Sequence, residues 1–379
     1  MKKHVILLVL LLKVTVLFSQ SQFIITGKTN FIANGKAVLT SYSPACFYPS
    51  GYKDDTVPVH DHHFLFKGRL NHPCSFRLIC FTDGGVSKIS ECFFIDAGNQ
   101  RIVFDSTTFK NNPQDTKSGI LVEGSKANDE YVNIFLPSFN EVNKEVAAYY
   151  NELSRNYSIA DKLVQRDSMS KTEERRLKFR KTSDSILYEY ANKNPKSPII
   201  AALLYENAFE HYYSDYYYKA FEKITLYTPP NINKRLKAFL DVQKLKGVGH
   251  IFPLLDFINA NTNTGLKKAK YTLVDFWFSE CGPCIFYFNS LRDTYKKFHN
   301  KGFDIVAISI DKKEALPEYE KVISKFQYTW NQVLDLNGIK TKSININKFP
   351  STFLLDSKGK IIQTFIDPIL LNAFLEKNL

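Results

Sequence analysis

Apolar and polar runs divide the chain into three stretches with different predicted structure. Residues 21–125 hold short apolar or alternating runs, separated by turn signals such as Asn34-Gly35, and predict a small all-β domain, either a sandwich or a barrel. Residues 126–242 lack glycine and mix charged with apolar residues over long distances, which predicts a helical middle region. Residues 243–379 alternate apolar runs with amphipathic segments, a pattern typical of an α/β domain.

One segment of the last stretch carries candidate chemistry. The apolar run at residues 273–278 predicts a buried strand, and apolar positions recurring every three or four residues over 285–299 predict an amphipathic helix. Cys281 and Cys284 lie between them, where the strand ends and the helix begins. A helix N-terminus stabilises a thiolate, so Cys281 is the expected nucleophile. Cys284, about one turn further along, is close enough to form a disulfide with it.

These residues resemble the thioredoxin superfamily. Its members carry Asp-Phe-Trp in an apolar strand and then Cys-Gly-Pro-Cys, six residues after the Asp; Asp275-Phe276-Trp277 precedes Cys281 at that interval. Glu280 departs from the pattern, because the family usually has Trp there, and its carboxylate disfavours the Cys281 thiolate by like-charge repulsion. A Cys-x-x-Cys pair is also half of a zinc site, but no second pair follows it in the sequence. Neither a metal nor another cofactor is expected.

The residues around this segment extend the resemblance to about 130 residues. The expected elements are a first strand and loop within 247–266, a central strand at 303–311, a helix with Pro317 in its first turn, a short strand at 332–335, a hairpin formed by 349–356 and 360–365, and a terminal helix at 368–377. This order is similar to the TlpA/ResA-like branch, which carries an extra strand–helix element before the proline hairpin. That branch implies an exported protein, in a setting such as cytochrome c biogenesis.

The resemblance also implies roles for single residues. Pro350 matches the family's cis-proline, which leaves the backbone before it open to pair with an extended substrate. Phe349, Trp277 and Glu280 are the expected substrate-binding residues. Asp275 is the expected buried acid, with a raised pKa, that takes a proton from the Cys284 thiol. The alternative for Asp275 is a hydrogen bond to a local backbone group, and Lys325 is a candidate partner for it.

The first 20 residues predict a signal peptide. A basic start, Met1-Lys2-Lys3, precedes an apolar run at 5–18 that is short for a membrane span and is interrupted by Lys13. Cleavage is expected between Ser19 and Gln22, which would leave the mature protein in the periplasm. An uncleaved N-terminal anchor is the alternative. No cysteine lies near the cleavage position, so no lipid anchor is expected.

The all-β stretch resembles the β-rich domain of unknown function that precedes thioredoxin domains in many exported bacterial proteins. Its four cysteines are Cys46, Cys74, Cys80 and Cys92. Cys80 and Cys92 flank a turn and are a candidate disulfide; buried thiols are the alternative. His60-Asp61-His62-His63 suggests either a metal site or a polar turn, and the turn is favoured because adjacent strand residues point to opposite faces.

Charge and aromatic content add little to the functional picture. The net charge is +12, and removing the three lysines of the leader leaves +9. The basic residues are spread along the chain, so no nucleic-acid partner is expected. Tyrosines cluster within 199–221 and suggest either a recognition surface or, as we favour, packing between helices.

The sequence therefore predicts an exported protein-disulfide reductase. Its expected partners are protein disulfides and a membrane-bound or exported thiol donor, with a homodimer through the N-terminal or helical regions as a further possibility. Two alternatives remain open. A thiol peroxidase shares the fold, but its Pro-x-x-x-Thr-x-x-Cys arrangement does not precede Cys281. A binding or scaffold protein would explain the 240 residues that precede the catalytic domain.

Overall fold

The computed structural model describes residues 21–41, 55–82, 85–104, 117–253, 257 and 269–379. The chain divides into two compact units, Met1–Asp129 and Glu130–Leu379. The predicted signal peptide at 1–20, Cys46 and most of the first strand predicted within 247–266 lie outside the described residues.

The first unit is built from β-strands. They are β1 (Ser21–Lys28), β2 (Gly35–Thr40), β3 (Asp55–Val59), β4 (His63–Leu70), β5 (Cys74–Thr82), β6 (Gly85–Ser90), β7 (Phe93–Ile95), β8 (Gly98–Val103), β9 (Lys117–Ser118) and β10 (Leu121–Glu123). One sheet has the order β10-β8-β1-β4, and a second has the order β3-β2-β5-β6-β9, with β7 also paired to β5. A short helix, α1 (Lys126–Glu130), follows them.

Alternating burial explains the strands of the first sheet. On β4, Phe64, Phe66 and Leu70 are buried while the residues between them are more exposed, as a period of two requires. Gly27 on β1 lies opposite Phe64, and a Cβ there would come within 1.8 Å of the Phe64 ring. Only glycine therefore leaves room for this ring between the paired strands.

Two side-chain expectations for the first unit can be judged from the described residues. Cys80 is buried, its thiol is free, and Cys92 accepts a hydrogen bond from Arg77 Nε (3.2 Å), so the candidate Cys80–Cys92 disulfide does not form. Burial raises the pKa of the Cys80 thiol to about 12. Asp61 and His62 form a turn between β3 and β4, both with positive φ, as the turn interpretation expected.

The middle region is helical, as predicted. Its helices are α2 (Asn140–Tyr157), α3 (Lys162–Lys193), α4 (Ile200–His211), α5 (Asp215–Ile224) and α6 (Pro230–Lys244), and a π turn at Tyr131–Phe135 and a 3₁₀ turn at Leu136–Phe139 precede α2. The Asp161 side chain caps α3 by accepting from the backbone N–H groups of Leu163 and Val164. The sequence pattern did not predict the break between α4 and α5, where Tyr212 takes a φ of 63°.

The last part of the chain forms an α/β domain with a five-stranded sheet. Its elements are β11 (Tyr271–Trp277), α7 (Gly282–Phe298), β12 (Phe303–Ser309), α8 (Leu316–Phe326), β13 (Asn331–Leu334), α9 (Ile339–Ser343), β14 (Ser351–Asp356), β15 (Ile361–Thr364) and α10 (Pro368–Asn378). The strand order is β13-β12-β11-β14-β15. The β11–β12 and β12–β13 pairs are parallel, and the β11–β14 and β14–β15 pairs are antiparallel. The chain thus has the predicted class: β-rich, then helical, then α/β.

The central strand β11 contacts a different layer on each of its faces. Leu273 and Trp277 pack with α7 and α10 on one face, in a cluster that includes both Cys281 and Cys284. Val274 and Phe276 point to the opposite face and pack with Tyr212 from the α4–α5 junction. The helical middle region and the sheet therefore share a hydrophobic core within the second unit.

Among the described residues, no helix has the length and apolar character that a transmembrane segment needs.

Tyr212 joins the helices to the sheet by ring stacking and by one buried hydrogen bond. Its ring lies 5.2 Å from that of Phe365, and its hydroxyl lies 2.7 Å from Ser351 Oγ. We expect Tyr212→Phe to lower the free energy of unfolding by about 0.5–1.5 kcal/mol, the usual net contribution of a neutral hydrogen bond, in urea titrations. Tyr213→Phe is the control, because its hydroxyl bonds Asp215 at the surface. Equal stability of the two variants would contradict this role.

Candidate active site

Cys281 occupies the N-cap position of α7. Its Sγ accepts a hydrogen bond from the Cys284 backbone N–H (3.2 Å), and its carbonyl accepts from the Ile285 N–H. Pro283 lies in the first turn of the helix, where its missing N–H costs nothing. The sequence thus places the sulfur at the positive end of the helix, where negative charge is stabilised.

The two cysteines form the disulfide that their spacing predicted. Their Cα atoms lie 5.2 Å apart. Cys284 is completely buried, whereas Cys281 keeps 5% of its surface exposed. Cys281 is therefore the cysteine of the pair that an incoming substrate can reach.

Asp275 lies on the same face of β11 as Leu273 and Trp277, the face that α7 covers. It is fully buried, and neither carboxyl oxygen has a hydrogen-bond partner among the described residues. The alternative of a local backbone hydrogen bond therefore has no support here. Burial raises the pKa of this carboxyl well above its usual range, so the group is protonated at a pH where exposed aspartates are ionised.

The Phe349-Pro350 peptide bond is cis, as expected from the sequence. Pro350 immediately precedes β14, and Ser351 pairs with Phe276 of β11. The half-buried Phe349 ring packs edge-to-face on Phe278, with centroids 5.6 Å apart. Phe278 is followed closely by Cys281, so the proline loop and the cysteine loop meet through these two rings.

The residues that precede Pro350 are held by Lys246, which follows α6, and by Glu210 of the middle region. Lys246 is fully buried, and its Nζ donates to the carbonyl oxygens of Ile344 and Asn345. Burial lowers the pKa of this amine to about 7. Lys348 forms an ion pair with Glu210 at the end of α4. These contacts could not be predicted from the sequence, because nothing in its local patterns links the helices to a loop about 100 residues away.

The Asp311 carboxylate holds the segment that joins β11 to Cys281. Asp311 accepts from the Ser279 N–H (3.0 Å), from Ser279 Oγ (2.6 Å) and from Ser309 Oγ (2.6 Å). Asp311 and Ser279 were also missed. Their positions in the sequence could have indicated this contact. Both residues follow the carboxyl ends of neighbouring parallel strands, where side chains meet at one edge of a sheet.

Trp277, Glu280 and Lys325 differ in their exposure to solvent. Trp277 is fully buried and packs on Phe288 and Tyr319, so its side chain has no exposed surface in this structure, and its expected contact with substrate stays a prediction. Glu280 is exposed beside Cys281. Lys325 is exposed, lies over the ring of Phe326, and is not a partner of Asp275.

Metal ligands are not assembled near the cysteines. Within the described part of the chain, no group of three or more His, Cys, Asp or Glu side chains is arranged to hold an ion.

Comparison with known families matches two parts of the chain. Residues 268–361 match the family model described as thioredoxin-like, and residues 23–131 match a domain of unknown function, DUF4369.

Individual relatives match the C-terminal part. The chain is 28% identical over 97 residues to the thiol-disulfide oxidoreductase ResA of Bacillus subtilis, covering 25% of this chain and 52% of that protein. It is 29% identical over 104 residues to the sporulation thiol-disulfide oxidoreductase A of the same organism, covering 27% and 63%. The chain thus spans about half the length of the first curated relatives that it matches.

Among solved structures, the thioredoxin domain of a thiol-disulfide oxidoreductase from Bacteroides vulgatus is 36% identical. The match covers 29% of this chain and 81% of that one, with a TM-score of 0.27. The C-terminal part of this chain is therefore a thioredoxin-like domain, with ResA-type thiol-disulfide oxidoreductases among its homologues, and a DUF4369 domain precedes it in the chain.

Proposed function

We propose that this chain is an exported thiol-disulfide oxidoreductase that reduces protein disulfides through Cys281 and Cys284. The observation that carries the proposal is the Cys281–Cys284 disulfide at the N-terminus of α7, beside the cis peptide before Pro350. Export is supported by the basic start and apolar run of residues 1–20. The mature chain would then comprise a β-rich domain at 21–125, a helical region at 126–242 and the catalytic domain at 243–379.

The reaction begins with both cysteines reduced. The Cys281 thiolate attacks one sulfur of the substrate disulfide; a new S–S bond forms, and the other substrate sulfur leaves as a thiolate and takes a proton. Cys284 then attacks Cys281 Sγ in this mixed disulfide. Asp275, in its ionised form, takes the proton of Cys284 and passes it to the departing substrate sulfur, which is released as the second thiol. Two electrons have moved to the substrate, and the Cys281–Cys284 disulfide remains.

Asp275 suits this proton transfer because of its burial. A carboxyl group without a hydrogen-bond partner has its pKa raised by desolvation, toward the range where it exchanges a proton with a thiol. Tyr287 lies near it, since the Asp275 charge adds to the burial that raises the pKa of the Tyr287 phenol. The Tyr287 hydroxyl instead donates to the Ile366 carbonyl (2.7 Å), which leaves the carboxyl available to the cysteines.

The reductive direction is supported by two sequence features. Gly282-Pro283 is the dipeptide between the cysteines of reducing thioredoxins, and Glu280 places a carboxylate next to Cys281. Repulsion between this carboxylate and the thiolate favours the disulfide form of the enzyme and makes the dithiol a stronger reductant. A second thiol donor, membrane-bound or exported, would return the enzyme to the dithiol. A homodimer through the N-terminal or helical regions remains part of the proposal.

Serine substitutions test the assignment of the two cysteines. We expect Cys281→Ser to abolish insulin-disulfide reduction, because the nucleophile is lost. Cys284→Ser should instead accumulate a mixed disulfide with the substrate that releases on treatment with dithiothreitol, because the resolving thiol is lost. Cys92→Ser is the control and should retain turnover. Full activity in the Cys281→Ser, Cys284→Ser double variant would refute the proposal.

A variant of Asp275 tests the buried carboxyl through pH dependence. Its raised pKa means that the folded state retains a proton that the unfolded state loses above about pH 4, so this group lowers stability as pH rises. Asp275→Asn should therefore be more stable than the wild type at pH 8, with a gap that shrinks toward pH 4 by at most about 1.4 kcal/mol per pH unit. Thermal unfolding of both proteins at several pH values measures this difference in stability.

Two further readings complete the Asp275 experiment. Asp275→Asn should also slow the resolution of the mixed disulfide, measured by rapid mixing. Asp293→Asn, which removes an exposed carboxylate on α7, is the stability control. A stability gap that does not vary with pH would show that Asp275 titrates normally in the folded protein.

The reduction potential tests the direction. Equilibration with glutathione should give a value nearer the roughly −270 mV of thioredoxin than the roughly −120 mV of a strong oxidant. Glu280→Gln should raise this potential, because it removes the charge that disfavours the thiolate, while Glu314→Gln at an exposed position should not. A strongly oxidising wild type would overturn the reductive direction.

A further inference from the structure

A large cleft separates the middle helices from the face of the catalytic domain that carries the candidate active site. Its volume is about 1220 Å³. Pro283, Phe286 and Pro350 line it from the catalytic domain, and Tyr157 and Leu177 line it from α2 and α3. The cleft is therefore continuous with the cysteine helix and with the cis-proline loop.

Two sets of contacts connect the middle helices to the catalytic domain across the cleft. On one side, the Tyr157 hydroxyl donates to Asp367 (2.5 Å) and Arg166 pairs with Glu376 (3.3 Å). On the other side, Lys348 pairs with Glu210. Because residues of the middle region bond to the catalytic domain at both ends, the cleft has two fixed walls.

The charged side chains that line the cleft are mostly satisfied by one another. The pairs are Arg176 with Glu173 (2.7 Å), Arg180 with Asp184 (3.4 Å), Lys297 with Glu376 (2.5 Å), and the Arg166 and Lys348 pairs already described. His211 lies among three of these cations, and burial together with their charge lowers its pKa well below the usual range, so its imidazole is neutral. The lining therefore presents no cluster of unpaired charge that would attract an ionic ligand.

Large apolar side chains in the same cleft are left open to solvent. Phe286, two residues after Cys284, is 75% exposed, and Leu163, Leu177 and Tyr157 on the opposite wall are 65%, 53% and 55% exposed. Apolar groups that converge on one concave site, with solvent as their present neighbour, are typical of a binding surface. The ligand that complements this site is therefore apolar.

Size and position indicate which apolar ligand fits. Pockets for small molecules have volumes of about 300–1,000 Å³, and this cleft is larger. Lining residues come from the middle helices as well as from the catalytic domain, so an extended chain that enters between them can contact both walls. The cis-proline loop at one edge is the place where such a chain pairs through its backbone.

We propose that the cleft binds an extended segment of an unfolded substrate polypeptide, with bulky apolar side chains flanking the cysteine that Cys281 attacks. This inference rests on the proposed reduction of protein disulfides and adds the class of substrate. The middle helices are then the second wall of the substrate site, and disulfides on rigid, folded surfaces are poor substrates.

Matched peptide disulfides test the proposal on the full chain. Each peptide carries one cysteine joined to a chromogenic thiol and flanked by Leu, Ser or Lys. The wild type should reduce the Leu-flanked peptide with a kcat/KM at least about tenfold above the Ser-flanked one, because burial of even one leucine is worth that much. Equal values for the two peptides would overturn the proposal.

Substitutions that introduce charge test whether the cleft causes the preference for the Leu-flanked peptide. Leu163→Glu with Leu177→Glu should remove the preference for Leu and create a preference for Lys over Ser, a gain that a misfolded protein cannot show. Val164→Glu with Leu226→Glu is the matched control, because both residues are exposed and neither lines the cleft. A Leu preference that survives in the cleft variant contradicts the proposal.

Two other outcomes are distinguishable. If the wild type reduces neither the peptides nor hydroxyethyl disulfide, the proposed function fails, and this inference fails with it. If the cleft holds a second copy of the chain instead, the cleft variant will shift the monomer–dimer distribution in sedimentation and the peptide preference will be absent, which overturns the inference while leaving the reductase activity intact.

Discussion

The hydrogen bond from the Cys284 N–H to Cys281 Sγ is the interaction on which the site depends. It exists because α7 begins at that residue, and α7 begins there because β11 ends a few residues earlier, with Ser279 held by Asp311. The strand is buried on both faces, so its direction and its end are fixed by packing. A sulfur placed in this way receives a backbone donor and the positive end of a helix without any charged side chain.

A buried carboxyl group on the strand face that α7 covers is unfavourable for stability. Asp275 is buried with neither carboxyl oxygen paired, an arrangement that the rest of the core would not select for stability. Lys246 is similarly buried, yet both of its described hydrogen bonds go to backbone carbonyls before the proline loop. The two groups differ in a useful way. The amine donates to two carbonyl oxygens, whereas neither carboxyl oxygen has a described hydrogen-bond partner, which is the property that the proposed proton transfer uses.

Local sequence patterns predicted much of this arrangement. The apolar run before the cysteines and the periodic residues after them act over a few positions, so the disulfide and α7 could be expected from the local sequence, while the cis peptide bond was expected from the family resemblance. The burial of Trp277 could not be predicted, because a strand residue near a site can face either inward or outward, and here it faces the core. Tyr212, Lys246 and Glu210 were missed because their partners lie about 100 residues or more away. Neither periodicity nor motif spacing reports such tertiary contacts.

Tyr212 has a consequence for where this protein can be cut. Its ring covers apolar residues of the sheet. A fragment that contains only the residues of the family match, 268–361, lacks this ring. A fragment trimmed to that match would expose Phe353 and its neighbours to water and would also lose the terminal helix. The compact unit that keeps this contact is Glu130–Leu379, so helices that precede the family match belong to the same unit as the sheet.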